Sequence, residues 1–407
     1  MAPKPDDAQL FPGGWESLRT FAWISLLAAV ALGVAGCDQK KHGFKLQSYV
    51  PADTHGFSNA LFQSAATRLE GGHHVEIIKN GQIFDALEDA FANGRHSIHV
   101  VLFIWRPGQA SDRLIKVLGE RTKAGVACRV LVDPIGSIGF DDKVRPALQE
   151  IGCEVRLFRP LKDKISADRN HRKIVVVDGR VAFTGGFGIH DQWLGNGLSK
   201  EEWRETNVRV RGPVVLAMQQ AFAENWQESG GALLPPEAFP EPDRSGPMKA
   251  AFIASSGSTH LSRAERLIHL LCQAATKRLW VGNAYFVPTQ EFMHCLADKR
   301  RSGVDVQVLA PGDINDQRQI TFGQRRTYNN LLPSGVRIFE YQPTMMHAKI
   351  FIVDDHLAAV GSINLDELSL DNLEEDALLV DDPGFAGQMM ADWRKDLEVS
   401  KEIHQKR

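Results

Sequence analysis

The chain has no excess of positive charge: 47 Lys and Arg stand against 50 Asp and Glu, a formal net charge of −3 over 407 residues. A global nucleic-acid footprint, normally a basic balance or stripe, is therefore missing, and any anion must be gripped by local charges. Cysteine patterns are equally sparse. The five cysteines, at 37, 128, 153, 272 and 295, include no C-x-x-C pair, which excludes a zinc ribbon and a thioredoxin-like motif. No H-E-x-x-H stretch or Cys/His cluster is present, so no metal centre is expected. Cys128 and Cys153 lie in strand-like runs, where a buried free thiol is the expectation, with a disulfide as the alternative for an extracytoplasmic domain.

What remains is 43% hydrophobic and 24% charged, the composition of a folded globular protein long enough for two domains. One uncharged apolar run, residues 20–36, follows Arg19. It is marginal for a spanning helix and long enough for a secretory core. The run ends in Val34-Ala35-Gly36-Cys37, small residues before a cysteine, followed by Lys40-Lys41. Cys37 is thus a candidate lipid anchor, with an uncleaved signal anchor as the alternative. Either ties the protein to a membrane.

From residue 82 the pattern alternates. Ile83, Leu87, Ala90 and Phe91 fall at helical spacing, and SIHVVLFIW (97–105) is too apolar for an edge strand. Helix, strand, helix and strand follow to residue 160, which predicts an α/β fold with a parallel or mixed sheet. The order returns after residue 248. AGVACRVLVDP aligns with SGVDVQVLAPG, and EIGCEVRLFRP with PSGVRIFEYQP. This is an internal duplication with the period of a domain. The expected divisions are 1–45 (membrane signal or anchor), 46–230, a Pro- and Gly-rich linker at 231–247, and 248–407.

One stretch is written twice: HRKIVVVDGRVAFTGG at 171–186 and HAKIFIVDDHLAAVGS at 347–362. In extended chain, residues two apart share a face, so His171 and Lys173 point together, as do His347 and Lys349. Such pairs opening buried strands are costly to desolvate without a role. Asp178, before Gly179, reads as a turn residue, and Asp354 with it as scaffold. A pseudo-twofold seam would gather two imidazoles and two ammonium groups in one cleft. Lysines can receive a phosphate, and one imidazole can attack phosphorus while the other protonates the leaving alkoxide. Glu205 and Glu375 open equivalent strands, NVRVRG and DALLV.

The doubled pattern H-x-K-x4-D-x6-G-[GS] resembles the phospholipase D superfamily, and the flanks AYFVP, WRETNVRVRGP and GSINLDELSLDNLEED resemble bacterial cardiolipin synthases. The resemblance implies two tandem α/β sandwich domains related by a pseudo-twofold, with mixed sheets flanked by helices. It implies His171 as nucleophile, His347 as general acid and then base, Lys173 and Lys349 on the phosphate, and Glu205 and Glu375 orienting the imidazoles. Asn364, Ser362 and Gly186 would contact substrate, and no cofactor is implied. The first motif departs from the pattern, with Gly188 where Asn is expected; a backbone N–H, or His190 and Asp191, are the candidate replacements. The expected activity is transfer of a phosphatidyl group from phosphatidylglycerol to a second lipid at a bacterial inner membrane. The rivals are a hydrolytic phospholipase D, a nuclease and a weakly active lipid-binding module. Trp105, Trp193 and Trp203 are candidates for an acyl passage or for the core. The oligomeric state is not legible.

Overall fold

The computed structural model describes residues 46, 50, 55–160, 167–257 and 262–404. The apolar run at 20–36 and Cys37 lie outside them. Among the described residues no helix is long and apolar enough to cross a membrane.

In chain order the elements are α1 (His55–Ala65), β1 (Glu70–Gly72), β2 (His74–Lys79), α2 (Gln82–Asn93), β3 (Ser97–Leu102), α3 (Gln109–Lys123) and β4 (Ala127–Val132). There follow α4 (Arg145–Glu150), β5 (Glu154–Leu157), β6 (Ile174–Val177), β7 (Val181–Gly185), β8 (Trp203–Arg204), β9 (Thr206–Arg211) and α5 (Val214–Glu228). The second half builds β10 (Gly246–Ser255), α6 (Arg263–Ala274), β11 (Arg278–Gly282), α7 (Gln290–Arg301), β12 (Asp305–Pro311), α8 (Arg318–Leu331) and β13 (Arg337–Tyr341). It ends with β14 (Met345–Met346), β15 (Ile350–Val353), β16 (Leu357–Gly361), α9 (Glu367–Asn372), β17 (Glu375–Asp381), α10 (Pro383–Glu398) and β18 (Ser400–Ile403).

Two large sheets result. The first runs β2-β9-β7-β6-β3-β4-β5, and the second β1-β10-β17-β16-β15-β11-β12-β13-β18. Stripped of its edge strands β1 and β18, the second repeats the first position for position. Within these two sheets parallel pairing is confined to β3-β4-β5 and β11-β12-β13, where helices cross between strands. The motif strands form antiparallel hairpins, β6-β7 and β15-β16. The sheets are mixed, as the resemblance implied. Residues 55–72 precede the first repeat yet join the second sheet's layer: Phe57 and Leu61 of α1 enter its outer core, and β1 pairs with β10.

The apolar runs follow from burial on both faces. Ile174 and Val176 of β6 enter a core shared with Ile350 and Ile352 of β15, between the halves. Val175 and Val177 enter the first half's outer core, and Phe351 and Val353 the second's. Helices α5 and α10 supply Trp226 and Trp393 to the shared core. Each fully buried Val or Ile contributes about 1.5–3 kcal/mol. The seam is thus a hydrophobic core, and it fixes the two motifs relative to each other.

The cysteine expectation is corrected. Cys128 on β4 is bonded to Cys153, and Cys272 on α6 to Cys295 on α7. Strands β4 and β5 are parallel neighbours, which brings Cys128 beside the residue preceding β5. Spacing alone could not show that.

Candidate active site

Two short crossed ladders set the site. Asn170 bridges to Glu374, and β14 pairs with β8. His171 N donates to Glu374 O at 2.8 Å, and His347 N donates to Arg204 O at 2.8 Å. Each motif is therefore docked on the other half's glutamate strand just before its own core strand begins.

The side chains cross in the same way. His171 Nδ1 lies 2.9 Å from Glu375 Oε1, and His347 Nδ1 lies 2.8 Å from Glu205 Oε2. Both carboxylates are fully buried. With Nδ1 held by a carboxylate, Nε2 is the nitrogen each ring can offer to chemistry, and that of His347 lies 3.0 Å from Lys349 Nζ. Lys173 and Lys349 are buried too, and each Nζ donates to the carbonyl of its own histidine at 2.6 Å. Among the described residues neither ammonium forms an ion pair with a carboxylate within 4.0 Å. Burying an ammonium with no carboxylate in direct contact costs several kcal/mol, although the charges of Glu375 and Glu205 act on both from further off. The arrangement suits an anionic group bound between them.

Electrostatics differ between the two sides. Burial lowers His171 well below the usual imidazole range, and the charges of Lys173 and Lys349 lower it further. Burial and Lys349 bring His347 to about 4. Burial also brings Lys173 to about 8 and Lys349 to about 7. Burial raises Glu375 to about 7. Burial works upward on Glu205 as well, but its hydrogen bond and charge interaction with His347 outweigh it, so Glu205 stays below the usual carboxylate value.

Their supports differ too. Glu375 receives the hydroxyls of Ser362 and Ser369, the latter at 2.5 Å. Glu205 receives Trp193 Nε1 at 3.2 Å and Thr206 N at 3.0 Å. Gly186 occupies the place of Ser362, and a Cβ there would lie 2.4 Å from Glu205 Oε1. Ser362 and Gly186 thus border the carboxylates. Asn364 is 2% exposed, and its Oδ1 has no hydrogen-bond partner, so its amide is free to turn toward a ligand.

Asp178 accepts from the backbone N–H of Arg95, His96 and Ser97 at 2.7–2.8 Å. Asp354 accepts from Thr276, Lys277 and Arg278 in the same manner. Both tie the motif hairpin to the strand beside it. Asp191 accepts from Ala110 N at the start of α3, and His190 accepts from Gln192 N. Trp105, Trp193 and Trp203 are all buried. Among the described residues no group of three or more His, Cys, Asp or Glu side chains could hold a metal ion.

The family described as "Cardiolipin synthase, PLD-like domain" matches residues 87–226 and 267–397, the two halves that carry these motifs. The chain belongs to this family. It is an enzyme of the phospholipase D superfamily, of the phosphatidyltransferase class. It is similar to cardiolipin synthase 2 of Bacillus cereus, with 32% identity over 364 residues, 87% of this chain and 68% of that one. Cardiolipin synthase A of Pseudomonas fluorescens is 32% identical over 342 residues, covering 82% of this chain and 70% of its own. Among solved structures, phosphatidylserine synthase of Haemophilus influenzae has the same fold, with a TM-score of 0.67 at 14% identity, covering 86% of this chain and 92% of the other.

Within this phospholipase D-like site, sequence reasoning missed three groups. Asp376, fully buried and raised to about 7 by burial, accepts from Lys173 N at 2.8 Å and from Thr184 Oγ1 at 2.5 Å. It pins the first motif from the second half. Ser369 holds Glu375 from α9. Phe103 packs edge-on against His171, with centroids 5.0 Å apart. The run Glu374-Glu375-Asp376 was the one visible signal, three acids opening an apolar strand.

Proposed function

We propose that this enzyme moves a phosphatidyl group from phosphatidylglycerol to the hydroxyl of a second phospholipid, through a phospho-histidine on His171. The observation that supports this most is the pair of buried ammonium groups with no carboxylate within 4.0 Å, beside two imidazoles whose Nδ1 atoms are held by buried carboxylates. The names of the similar relatives point to the same lipid chemistry.

In the first step His171 Nε2 attacks phosphorus, forming the P–N bond as the P–O bond to glycerol breaks. The glycerol oxygen takes the proton from His347 Nε2. In the second step the acceptor hydroxyl gives its proton to His347 as its oxygen bonds to phosphorus, and the P–N bond breaks. Cardiolipin and glycerol result, with both imidazoles restored. Lys173, Lys349 and the Asn364 amide face the charge on the phosphoryl oxygens. Glu375 and Glu205 fix the tautomers. His347 must be protonated in the first step, and the negative charge of the bound diester raises its pKa toward that state.

We place the first catalytic half within 46–230 and the second at 248–407, with residues 55–72 packed on the second, and the protein at a membrane through the apolar run or Cys37. The test is purified protein with phosphatidylglycerol vesicles and lipid analysis. Cardiolipin with free glycerol is the expected result. Phosphatidic acid alone would make it a hydrolase, and no lipid turnover with cleavage of DNA would overturn the lipid assignment.

A further inference from the structure

We propose that Trp193 is the positioning residue that takes the place of the first motif's missing amide, and that it biases the enzyme toward transfer over hydrolysis. The proposal rests on the phosphatidyl-transfer reading above.

The matching hairpins β6-β7 and β15-β16 align Gly186 with Ser362 and Gly188 with Asn364. A Cβ added at Gly188 would lie 3.0 Å from Cζ3 and Cη2 of Trp193 and 3.0 Å from Ile104 Cβ. Ordinary contact needs 3.4 Å or more, and a bulky indole buried to 1% exposure has nowhere to yield. An asparagine at 188 and this tryptophan compete for one volume. The space an asparagine side chain would need at this position is filled by an indole from the turn Asp191–Trp193.

That indole serves His347. Its Nε1 donates to Glu205 Oε2, the same oxygen that meets His347 Nδ1. Its ring stands edge-on to His347 at 5.5 Å, and Trp203 covers another side at 4.7 Å. Among the described residues His171 has one aromatic ring neighbour by comparison, Phe103, and its carboxylate is held by hydroxyls. The exchange of amide for indole therefore removes one polar donor from the nucleophile's half and dries the acid–base. In the second step a water at His347 Nε2 would give up its proton as a lipid hydroxyl does, forming its P–O bond as the P–N bond breaks, and would release phosphatidic acid. The two indoles packed against this imidazole disfavour the small competitor.

The test uses the full chain with phosphatidylglycerol vesicles, reading cardiolipin, glycerol and phosphatidic acid across pH. Trp193→Phe keeps a ring and loses the donor to Glu205; the acid limb of kcat moves to higher pH. Trp193→Ala shifts the product ratio toward phosphatidic acid by tenfold or more. Gly188→Asn alone loses turnover, and the double variant Gly188→Asn with Trp193→Ala regains part of it while remaining more hydrolytic than the wild type. An unchanged product ratio and pH limb in both tryptophan variants, with the wild type active, would overturn this inference alone. A wild type that turns over no lipid would overturn the transfer reading and this inference with it.

A separate observation carries a second inference: we infer that the catalytic body matures in an oxidising compartment. Four buried cysteines form two bonds, Cys128–Cys153 and Cys272–Cys295, with Cα separations of 4.6 and 6.5 Å, inside the range disulfides allow. The positions aligned with Cys128 and Cys153 are the buried valines Val306 and Val336, so the bridges are not equivalent and each half holds its own. Protein disulfides persist in oxidising compartments and are rare where thiols are kept reduced. The proposed reaction is compatible with such a place, since exchanging one phosphodiester for another needs no nucleotide. Cells producing the full chain are quenched in acid, and the denatured protein is alkylated before and after reduction. These four cysteines should be labelled only after reduction; labelling of all four before it would overturn the inference.

Discussion

His171 and Glu375 lie 204 residues apart in the chain and 2.9 Å apart in space, each contributed by a different half. The reciprocal pair, His347 and Glu205, is 142 residues apart and 2.8 Å in space. Neither half owns a complete imidazole–carboxylate pair. The shared core between the sheets is therefore a catalytic element as much as a structural one.

Exchanging the carboxylates should separate the two chemical steps. Glu375→Gln leaves His171 without its charged anchor and should slow formation of the covalent adduct by about 10²–10⁴-fold, the range of a general acid–base contribution. Glu205→Gln, acting through His347, should form the adduct from a substrate with a good leaving group and resolve it slowly. Rapid-quench kinetics with phosphatidyl-p-nitrophenol distinguishes them. Equal effects of both variants on adduct formation would contradict the crossed assignment.

Substrate affinity should fall as pH rises. Lys349, at about 7, and Lys173, at about 8, bind an anion only while protonated. The apparent KM for phosphatidylglycerol should be low and flat below about pH 7, then climb toward tenfold per unit for each ammonium lost. The kcat should move less, because a bound diester holds the protons on both lysines. A KM that stays flat to pH 9 would contradict this.

The repeat, the alternation of helices and strands along the chain and the His–Lys pairs were legible because they are local: unbroken apolar runs, helical spacing, and His-x-Lys side by side before a core strand. Alignment of VACRVLVD with VDVQVLAP already placed β4 opposite β12. The rest needed the third dimension. Crossing of Glu205 and Glu375 depends on docking between halves, and pairing of Cys128 with Cys153 on neighbouring parallel strands. Asp376 was only the first residue of the strand DALLV until Lys173 and Thr184 were seen to donate to it. Gly188 read as a lost donor, and only the packing showed the indole in its place.

Inorganic phosphate should stabilise the protein. Ligand present at 100 times its Kd adds about 2.7 kcal/mol, a rise of several degrees in Tm for a chain of this size. Lys173→Ala and Lys349→Ala should each reduce that rise strongly. Thermal unfolding with and without phosphate checks it, and an undiminished rise in both variants would place the anion elsewhere.

The central claim is one site with His171 as nucleophile, and trapping the covalent intermediate tests it most directly. Phosphatidyl-p-nitrophenol is mixed with His347→Ala and, separately, with His171→Ala, quenched, digested and mapped by mass spectrometry. The account predicts a phosphatidyl adduct on His171 in the first variant and none in the second. An adduct on His347 in the His171→Ala protein, with none in the other, would contradict it.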